Sequence, residues 1–190
     1  MKVVLASASP RRQALLTQLV DSFEVLPADV DEESFVAHDP VALAEGLALM
    51  KAEAVAEIRQ DNLVVGCDTV VAFQQGGAWT FLAKPVDEAD AKRMLRTLSG
   101  QTHVVVTGFA LVGGGRKVTG HDLSRVTFKE LSDQLIANYV ATGEPMDKAG
   151  AYGLQDTSKT FLDRLEGSMN NVIGLPIEKL GPALQAFVAG

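Results

Sequence analysis

The 190-residue sequence predicts an α/β fold built on a mixed sheet that is flanked by helices. Short β-branched runs alternate with segments of helical periodicity along the chain. Two long strands are expected at about Thr102–Val112 and Lys117–Phe128, joined across the glycine run Gly113–Gly115, which favours an antiparallel pair within the sheet. No linker, charge block or repeat divides the chain, so we expect residues 1–190 to form one domain.

The N-terminal segment predicts a strand, a tight loop and a helix. Residues 2–6 form a short apolar run, after which leucines recur at positions 15, 16 and 19 with helical spacing. Ser9 is a residue type favoured at the N-cap, and Pro10 is one favoured at the first helical position. This helix is therefore expected to begin at Pro10.

A second helix is expected to begin at Asp39 and Pro40, where an N-cap residue again precedes proline. Apolar residues recur in this segment at intervals of three or four, which predicts one buried face. Lys51 lies at the edge of that face. The predicted buried residues are Leu43, Leu47, Met50, Ala54 and Ile58.

The middle of the chain contains its most apolar strand. Leu63–Val71 is nearly continuous in apolar character, which is typical of a strand covered on both faces. Gly76 and Gly77 then predict a turn into a short strand that ends at residues 83–85. The remaining elements are expected to be a helix capped by Asp87 and running to Leu98, a helix from Ser132 to Thr142, a strand from Thr160 to Leu165 and a last helix from Pro176 to Val188.

The composition argues against several classes of protein. A formal net charge of −7 opposes non-specific binding to nucleic acid or to anionic membranes, because both need a basic surface. The apolar run after Lys2 is too short for a signal-peptide core or a membrane span, so we expect a cytoplasmic protein. The single cysteine, Cys67, rules out an intramolecular disulfide and a cysteine-rich zinc site and is expected to be a buried free thiol.

Arg11 and Arg12 fall in the first turn of the predicted first helix, where the positive end of the helix dipole disfavours cations. Two arginines beside the hydroxyls of Ser7 and Ser9 are explained if a phosphate binds there. The structural alternative is a pair of solvated arginines that form salt bridges with a neighbouring loop. The residues alone favour neither interpretation.

Acidic residues form two candidate sites. Asp68 lies inside a β-branched run, where burying its carboxylate costs several kcal/mol unless the group is paired or bound to a metal. It is a candidate metal ligand or general base, with a hydrogen-bonded aspartate at a β-bulge as the alternative. A second group of carboxylates suits a hard cation such as Mg²⁺ or Mn²⁺, although acidic loops are more often simply solvated. Its members are Asp29, Asp31, Glu32 and Glu33.

Two lysines and one loop complete the candidates that residue chemistry suggests. Lys51 borders a buried helix face and Lys84 precedes a rigid proline, although each alone is typical of a protein surface. Residues 147–155 contain two glycines, a tyrosine and Gln155, which suit either a base or ribose site or a tight turn with a packed tyrosine. The histidines have neither ligand spacing nor a nucleophile partner, which argues against a zinc site or a Ser/His/Asp triad. They are His38, His103 and His121.

Six spaced motifs extend over most of the chain. They are LASASPRRQALL at 5–16, VDEES at 30–34, VVGCDTVV at 64–71, AKP at 83–85, LSGQTHVVVTG at 98–108 and DKAGAYGLQ at 147–155. Together they resemble the Maf family of nucleotide pyrophosphatases. The similarity continues to LEGSMNNVIGLP at 165–176 and so covers nearly the whole sequence.

The resemblance implies an elongated α/β fold of the Maf/ITPase-like kind, with two lobes and an active-site cleft, commonly as a homodimer. It also implies hydrolysis of a nucleoside triphosphate between its α and β phosphorus atoms with a divalent metal, Mg²⁺ or Mn²⁺. By motif position, Asp68 resembles the proton acceptor, and Glu32, Lys51 and Lys84 resemble the polar residues around phosphate, metal and water. Glu32 and Asp68 are the implied metal ligands, and Asp31 leaves open which carboxylate of its pair approaches the metal.

The same resemblance implies how the substrate is selected. Ser9 and Arg12 fall in the phosphate-binding loop, whereas Arg11, Thr69 and Gln155 stand where branches of the family differ in base selection. These three match the branch that acts on dTTP and UTP, and tryptophan in place of Arg11 would indicate 7-methylguanosine triphosphate. The alternatives are a pyrophosphatase of the same family for modified nucleotides and, from another class, a non-catalytic regulator of septum formation.

Overall fold

Seven strands form one mixed sheet in the computed structural model, which describes residues 1–190. The strands are β1 (Val3–Leu5), β2 (Phe23–Val25), β3 (Leu63–Gln75), β4 (Ala78–Leu82), β5 (Thr102–Gly113), β6 (Arg116–Phe128) and β7 (Leu162–Glu166). Their order is β2-β1-β3-β5-β6-β7, with β4 paired to the end of β3. β1 is parallel to β2 and β3, and the other pairs are antiparallel, which confirms the predicted mixed sheet.

Seven helices flank the sheet. They are α1 (Pro10–Leu16), α2 (Pro40–Ile58), α3 (Glu88–Leu98), α4 (Asp133–Val140), α5 (Leu154–Thr157), α6 (Met169–Ile173) and α7 (Ile177–Ala189). Short 3₁₀ turns lie at Glu32–Ser34, Glu144–Asp147 and Ala149–Ala151. The sequence predicts the longer elements but not β2, α5 and α6, which have only three to five residues and therefore show no periodicity. No helix is long and apolar enough to cross a membrane.

The predicted helix starts are confirmed by their caps. The hydroxyl of Ser9 accepts a hydrogen bond from the backbone N–H of Arg12 at 3.4 Å, and Pro10 begins α1. Asp39 and Asp87 cap α2 and α3 in the same way. Such caps satisfy N–H groups that the helix itself leaves unpaired, which is why local sequence fixes these boundaries.

The predicted buried face of α2 is partly wrong. Leu47 is buried as expected, but Leu43, Met50 and Ala54 are only half-buried and Ile58 is 64% exposed. Small residues and one lysine predominate instead on the face that contacts the sheet, because the helix lies too close to the strands for most large side chains. Its buried residues are Ala44, Leu47, Ala48, Lys51, Ala52 and Val55.

Two strand glycines make this close approach possible. A Cβ atom on Gly66 of β3 would lie 2.2 Å from the carbonyl oxygen of Ala48, and one on Gly108 of β5 would lie 2.3 Å from the backbone of Ala44. Neither distance is sterically allowed, so both positions need glycine while α2 keeps its place. The close packing places Lys51 of α2 directly over β3.

The core is divided into two lobes along the long strands. In the first lobe, β3 contributes Val65 to an apolar cluster with α1 and α7, whereas α2 covers the other face of the sheet. In the second lobe, Val71 of the same strand packs with α3, α4 and β7. Cys67 is fully buried in the first lobe as a free thiol, and burial raises its pKa. The expected two-lobed fold is therefore present.

Candidate active site

One cavity of about 640 Å³ takes side chains from both lobes. It is lined by residues of α1, α2 and α6, of β3, β4 and β5, of the 3₁₀ turn Glu32–Ser34 and of the loop 147–155. All nine residues that the sequence analysis names as site residues line this cavity, although they come from six separate segments. They are Ser9, Arg11, Arg12, Glu32, Lys51, Asp68, Thr69, Lys84 and Gln155.

Lys51 joins two carboxylates at one side of the cavity. Its ammonium lies 2.6 Å from Oδ1 of Asp68 and 3.0 Å from Oε1 of Glu32. The side chains of Lys51 and Asp68 are 11% and 12% exposed, whereas that of Glu32 is 53% exposed. Asp68 pairs in regular register with Gly108, so it does not lie at a β-bulge. The lysine therefore offsets the cost of burying the ionised aspartate.

The two carboxylates fit a divalent cation that also binds the ligand. No group of three or more histidine, cysteine, aspartate or glutamate side chains converges as a complete metal site. Mg²⁺ is commonly bound by only one or two carboxylates together with phosphate oxygens and water, and Glu32 and Asp68 supply that number. Asp31 is occupied differently, because its Oδ1 accepts a hydrogen bond from the N–H of Glu33. Of the neighbouring pair, Glu32 is the one that contacts Lys51.

Arg12 is held by three protein acceptors. Its Nε donates to the carbonyl oxygen of Gly174 at 2.9 Å, Nη1 donates to Oγ of Ser7 at 3.2 Å, and Nη2 donates to Oγ1 of Thr69 at 3.0 Å. A guanidinium carries five N–H donors, so two remain for a ligand. Arg12 thus connects three separate segments of the chain at the cavity through its hydrogen bonds.

A buried network behind Thr69 was missed by the sequence analysis. The hydroxyl of Thr107 donates to the carbonyl oxygen of Asn171 at 2.8 Å, so Thr69 must be the donor in the 3.0 Å bond between the two threonine hydroxyls. Asn171 is fully buried, accepts from the N–H of Thr107 and donates to Val105 and Ser124. The only sequence signal was the motif at 165–176, which contains Asn171.

Arg11 lies at the edge of the cavity and pairs with the loop 147–155. Its Nη1 is 3.2 Å from Oδ2 of Asp147, and the side chain of Arg11 is 27% exposed. The structural alternative of an arginine that forms a salt bridge with a neighbouring loop is therefore confirmed for Arg11. The side chain still lines the cavity, where a ligand can reach it.

The loop 147–155 is fixed from behind by a buried histidine. Nε2 of His103 and Oη of Tyr152 are 2.7 Å apart, and Phe128 packs edge-on against both rings. Burial lowers the pKa of His103 to about 3, and its Nδ1 has no hydrogen-bond partner. Ala151, beside the tyrosine, has φ of 63°, a strained conformation for a residue with a side chain. The sequence alone indicates no such role for His103, because its partner Tyr152 is 49 residues away.

Two polar side chains face the cavity without protein partners. The ammonium of Lys84 forms no hydrogen bond or salt bridge, and the amide of Gln155 forms no hydrogen bond. Both residues are exposed. Since neither group is committed to another residue, both are available to a ligand.

The fold belongs to a known structural class. Structures of Ham1 proteins from Coxiella burnetii and Staphylococcus aureus match it with TM-scores of 0.54 and 0.53. Each is 15% identical, and each match covers 98% of this chain and 99% of the other. At this identity the likeness shows a common α/β architecture and nothing of the chemistry.

Sequence comparison identifies the family within that class. The profile described as Maf-like protein matches residues 2–187, and the chain belongs to the Maf family. A Bacillus cereus relative is 41% identical over 186 residues, which are 98% of this chain and 95% of the relative. A Bacillus cytotoxicus relative is 42% identical over 189 residues, which are 100% of this chain and 97% of the relative. Both relatives are named dTTP/UTP pyrophosphatase, and the resemblance drawn from the motifs is confirmed.

Proposed function

We propose that this protein hydrolyses nucleoside triphosphates, with dTTP and UTP as preferred substrates, to the nucleoside monophosphate and pyrophosphate. The observation that carries the proposal is the buried Asp68–Lys51 pair in a cavity that also contains arginines and an unpaired lysine. A net charge of −7 makes such a concentration of cations unusual for this chain. The names of the two relatives support the choice of reaction and of bases.

In the proposed reaction, water attacks the α-phosphorus and Asp68 accepts the proton that the water loses. A new bond forms between the water oxygen and the α-phosphorus, while the bond from that phosphorus to the bridging oxygen breaks. Pyrophosphate leaves with the electron pair of the broken bond. Lys51 holds the carboxylate of Asp68 in position before the reaction through their 2.6 Å contact.

The remaining cations are assigned to the phosphates. Lys84 has no protein partner, and Arg12 has two unused N–H donors, so both are suited to the negative charge that develops on the leaving group. Ser9 caps α1, in whose first turn Arg12 lies, and keeps this loop in place. Ser9, Arg12 and Lys84 all line the cavity, and we assign them together to the phosphates.

We assign a divalent cation, Mg²⁺ or Mn²⁺, to Glu32 and Asp68. Bound there with the substrate, such an ion would neutralise phosphate charge and polarise the reacting phosphoryl group. Glu32 is the more exposed of the two carboxylates and is suited to contact an ion that arrives with the nucleotide. Asp31 is assigned to capping its own turn.

Base selection is assigned to Arg11 and Gln155 directly and to Thr69 indirectly. The amide of Gln155 offers one donor and one acceptor, which match the edge of a pyrimidine, and Arg11 offers donors to a carbonyl oxygen. The hydroxyl of Thr69 accepts from Arg12 and donates to Thr107. We therefore expect Thr69 to act by orienting its neighbours rather than by contacting the base.

A homodimer, a cytoplasmic location and a single domain over residues 1–190 remain predictions. The continuous seven-stranded sheet, which takes strands from both ends of the chain, supports a single domain. Light scattering coupled to gel filtration would measure the oligomeric state.

The decisive experiment is a screen of ordinary and modified nucleoside triphosphates in ¹⁸O-labelled water with product identification. We expect UTP and dTTP to be the best substrates, with the label in the monophosphate. Diphosphate and orthophosphate as products would contradict the proposed bond cleavage. Preference for 7-methylguanosine triphosphate would contradict the proposed base selection, and absence of hydrolysis with intact nucleotide binding would favour a regulator.

A further inference from the structure

The carboxylate of Asp147 is shared between two cations. Its Oδ2 lies 3.2 Å from Nη1 of Arg11, and its Oδ1 lies 2.8 Å from the ammonium of Lys148. Arg11 and Asp147 are 136 residues apart, on α1 of the first lobe and on a 3₁₀ turn that packs on α3 and α4 of the second. The pair therefore links the two lobes beside the cavity.

Lys148 fixes the position of Asp147. Its side chain is only 7% exposed, and its ammonium donates to the backbone carbonyl and the carboxylate of Glu144 as well as to Asp147. A buried ammonium with three acceptors has little freedom to move. The lysine stem also fills the space beside Gly153, where a Cβ atom would lie 2.8 Å from Cε of Lys148. Lys148 thus supports both Asp147 and the loop that carries Gln155.

We propose that Asp147, held by Lys148, is a specificity-positioning residue that reserves Arg11 for base selection. Without a carboxylate partner, a flexible arginine beside a triphosphate would turn toward the phosphates, which are the strongest anions in the site. Asp147 competes for the guanidinium and keeps it where it can donate to the base. This inference rests on the proposed function for the nature of the ligand. The contacts of Asp147 with Arg11 and Lys148 are independent of that function.

The test combines Asp147→Asn with Arg11→Gln in a double-mutant cycle. Asp147→Asn keeps the shape of the side chain but removes its charge. We expect the ratio of kcat/KM for UTP to that for GTP to fall about tenfold, mainly through KM for UTP, because a charge-assisted hydrogen bond is weakened. In the Arg11→Gln background the same change should leave the ratio unaltered, since Asp147 acts through Arg11.

Asp156→Asn is the matched control. Asp156 is an exposed carboxylate on α5, next to the loop 147–155, forms no salt bridge and does not line the cavity. Its replacement should leave the UTP to GTP ratio unchanged. Lys148→Met should lower the ratio in the same direction as Asp147→Asn, provided that circular dichroism shows a folded protein. The proposal would be overturned if Asp156→Asn lowered the UTP to GTP ratio of kcat/KM as much as Asp147→Asn does.

Calorimetry with the α,β-methylene analogues of UTP and GTP separates this inference from the proposed function. A parent that binds the UTP analogue preferentially, with coupling between the two substitutions, supports the inference even if it hydrolyses nothing. Equal effects of Asp147→Asn in both backgrounds, or no effect on the preference, would overturn the inference while leaving hydrolysis intact. A parent that binds neither analogue would overturn both.

Discussion

Lys51 and Asp68 form a nearly buried ion pair at 2.6 Å, although one lies on α2 and the other on β3. Removing one member of such a pair leaves an uncompensated buried charge, which typically costs about 3–5 kcal/mol. Glu32 reduces that cost on the lysine side, because it also contacts Lys51. Replacement of Asp68 is therefore better tolerated than replacement of Lys51.

Asp68→Asn should abolish most hydrolysis while keeping the fold. The amide keeps the shape of the carboxylate but cannot accept a proton from water, and loss of general-base assistance costs about 10²- to 10⁴-fold in rate. Pyrophosphate release measures kcat, and calorimetry with the α,β-methylene analogue of UTP measures binding. Asp122→Asn on β6, away from the cavity, is the control. Near-normal turnover in Asp68→Asn would show that another group accepts the proton.

Glu32→Gln and Asp31→Asn should differ in metal dependence. Glu32 contacts Lys51 within the cavity, whereas Asp31 caps its own turn. Loss of a charged ligand weakens cation binding, so Glu32→Gln should raise the Mg²⁺ concentration for half-maximal activity about tenfold or more. Asp31→Asn should leave that concentration nearly unchanged. Titration of activity with Mg²⁺ gives the comparison, and the reverse order would transfer the metal contact to Asp31.

Gly108→Ala should destabilise the protein and impair the site together. The added methyl group would meet the backbone of α2 at Ala44, and such overpacking costs about 1–3 kcal/mol. As α2 moves away from the sheet, Lys51 is drawn from Asp68, so kcat should fall as well. Gly181→Ala is the control, because a methyl group there meets only the end of Leu19 at 3.1 Å. Urea unfolding measures the stability of the two variants, and turnover measures their kcat. Equal losses in Gly108→Ala and Gly181→Ala would show that close packing of α2 on Gly108 is not the cause.

Local sequence predicted helix starts well and the contacts between elements poorly. Ser9 and Asp39 determine where their helices begin, because capping depends only on neighbours. The buried face of α2 was predicted from the large apolar residues, whereas its actual position depends on Gly66 and Gly108 in distant strands. The contact between Lys51 and Asp68 follows from that packing, and hydrophobic periodicity cannot predict it.

The candidate site was predicted from motifs rather than from physical patterns. The residues alone left Arg11 undecided between phosphate binding and a salt bridge, and the structure shows the salt bridge with Asp147. Support residues such as Asn171 and His103 were missed because their partners are 47 to 66 residues away. Only tertiary structure brings such partners together.

His103 should make the protein less stable as the pH falls below about 6.5, its ordinary pKa. Burial lowers the folded-state pKa of His103 to about 3, so between these values the unfolded chain binds a proton that the native protein does not. Stability is therefore lost as pH decreases, by roughly 2 kcal/mol at pH 5 from this group alone. Urea unfolding at pH 5 and pH 7.5 should show a smaller pH-dependent loss in His103→Asn than in the parent. An equal loss in both proteins would assign the effect to other groups.

The final prediction concerns the base: Arg11→Trp combined with Gln155→Glu should shift selection away from pyrimidines. The glutamate would repel the carbonyl oxygens of uracil, and the indole would replace a hydrogen-bond donor with a stacking surface suited to a cationic methylated purine. Buried polar groups left unpaired cost about 1–3 kcal/mol each, so a site built for one edge discriminates strongly against another. The ratio of kcat/KM for UTP to that for 7-methylguanosine triphosphate should therefore fall by about tenfold or more. A ratio that stays constant in the double variant would place base selection elsewhere in the cavity.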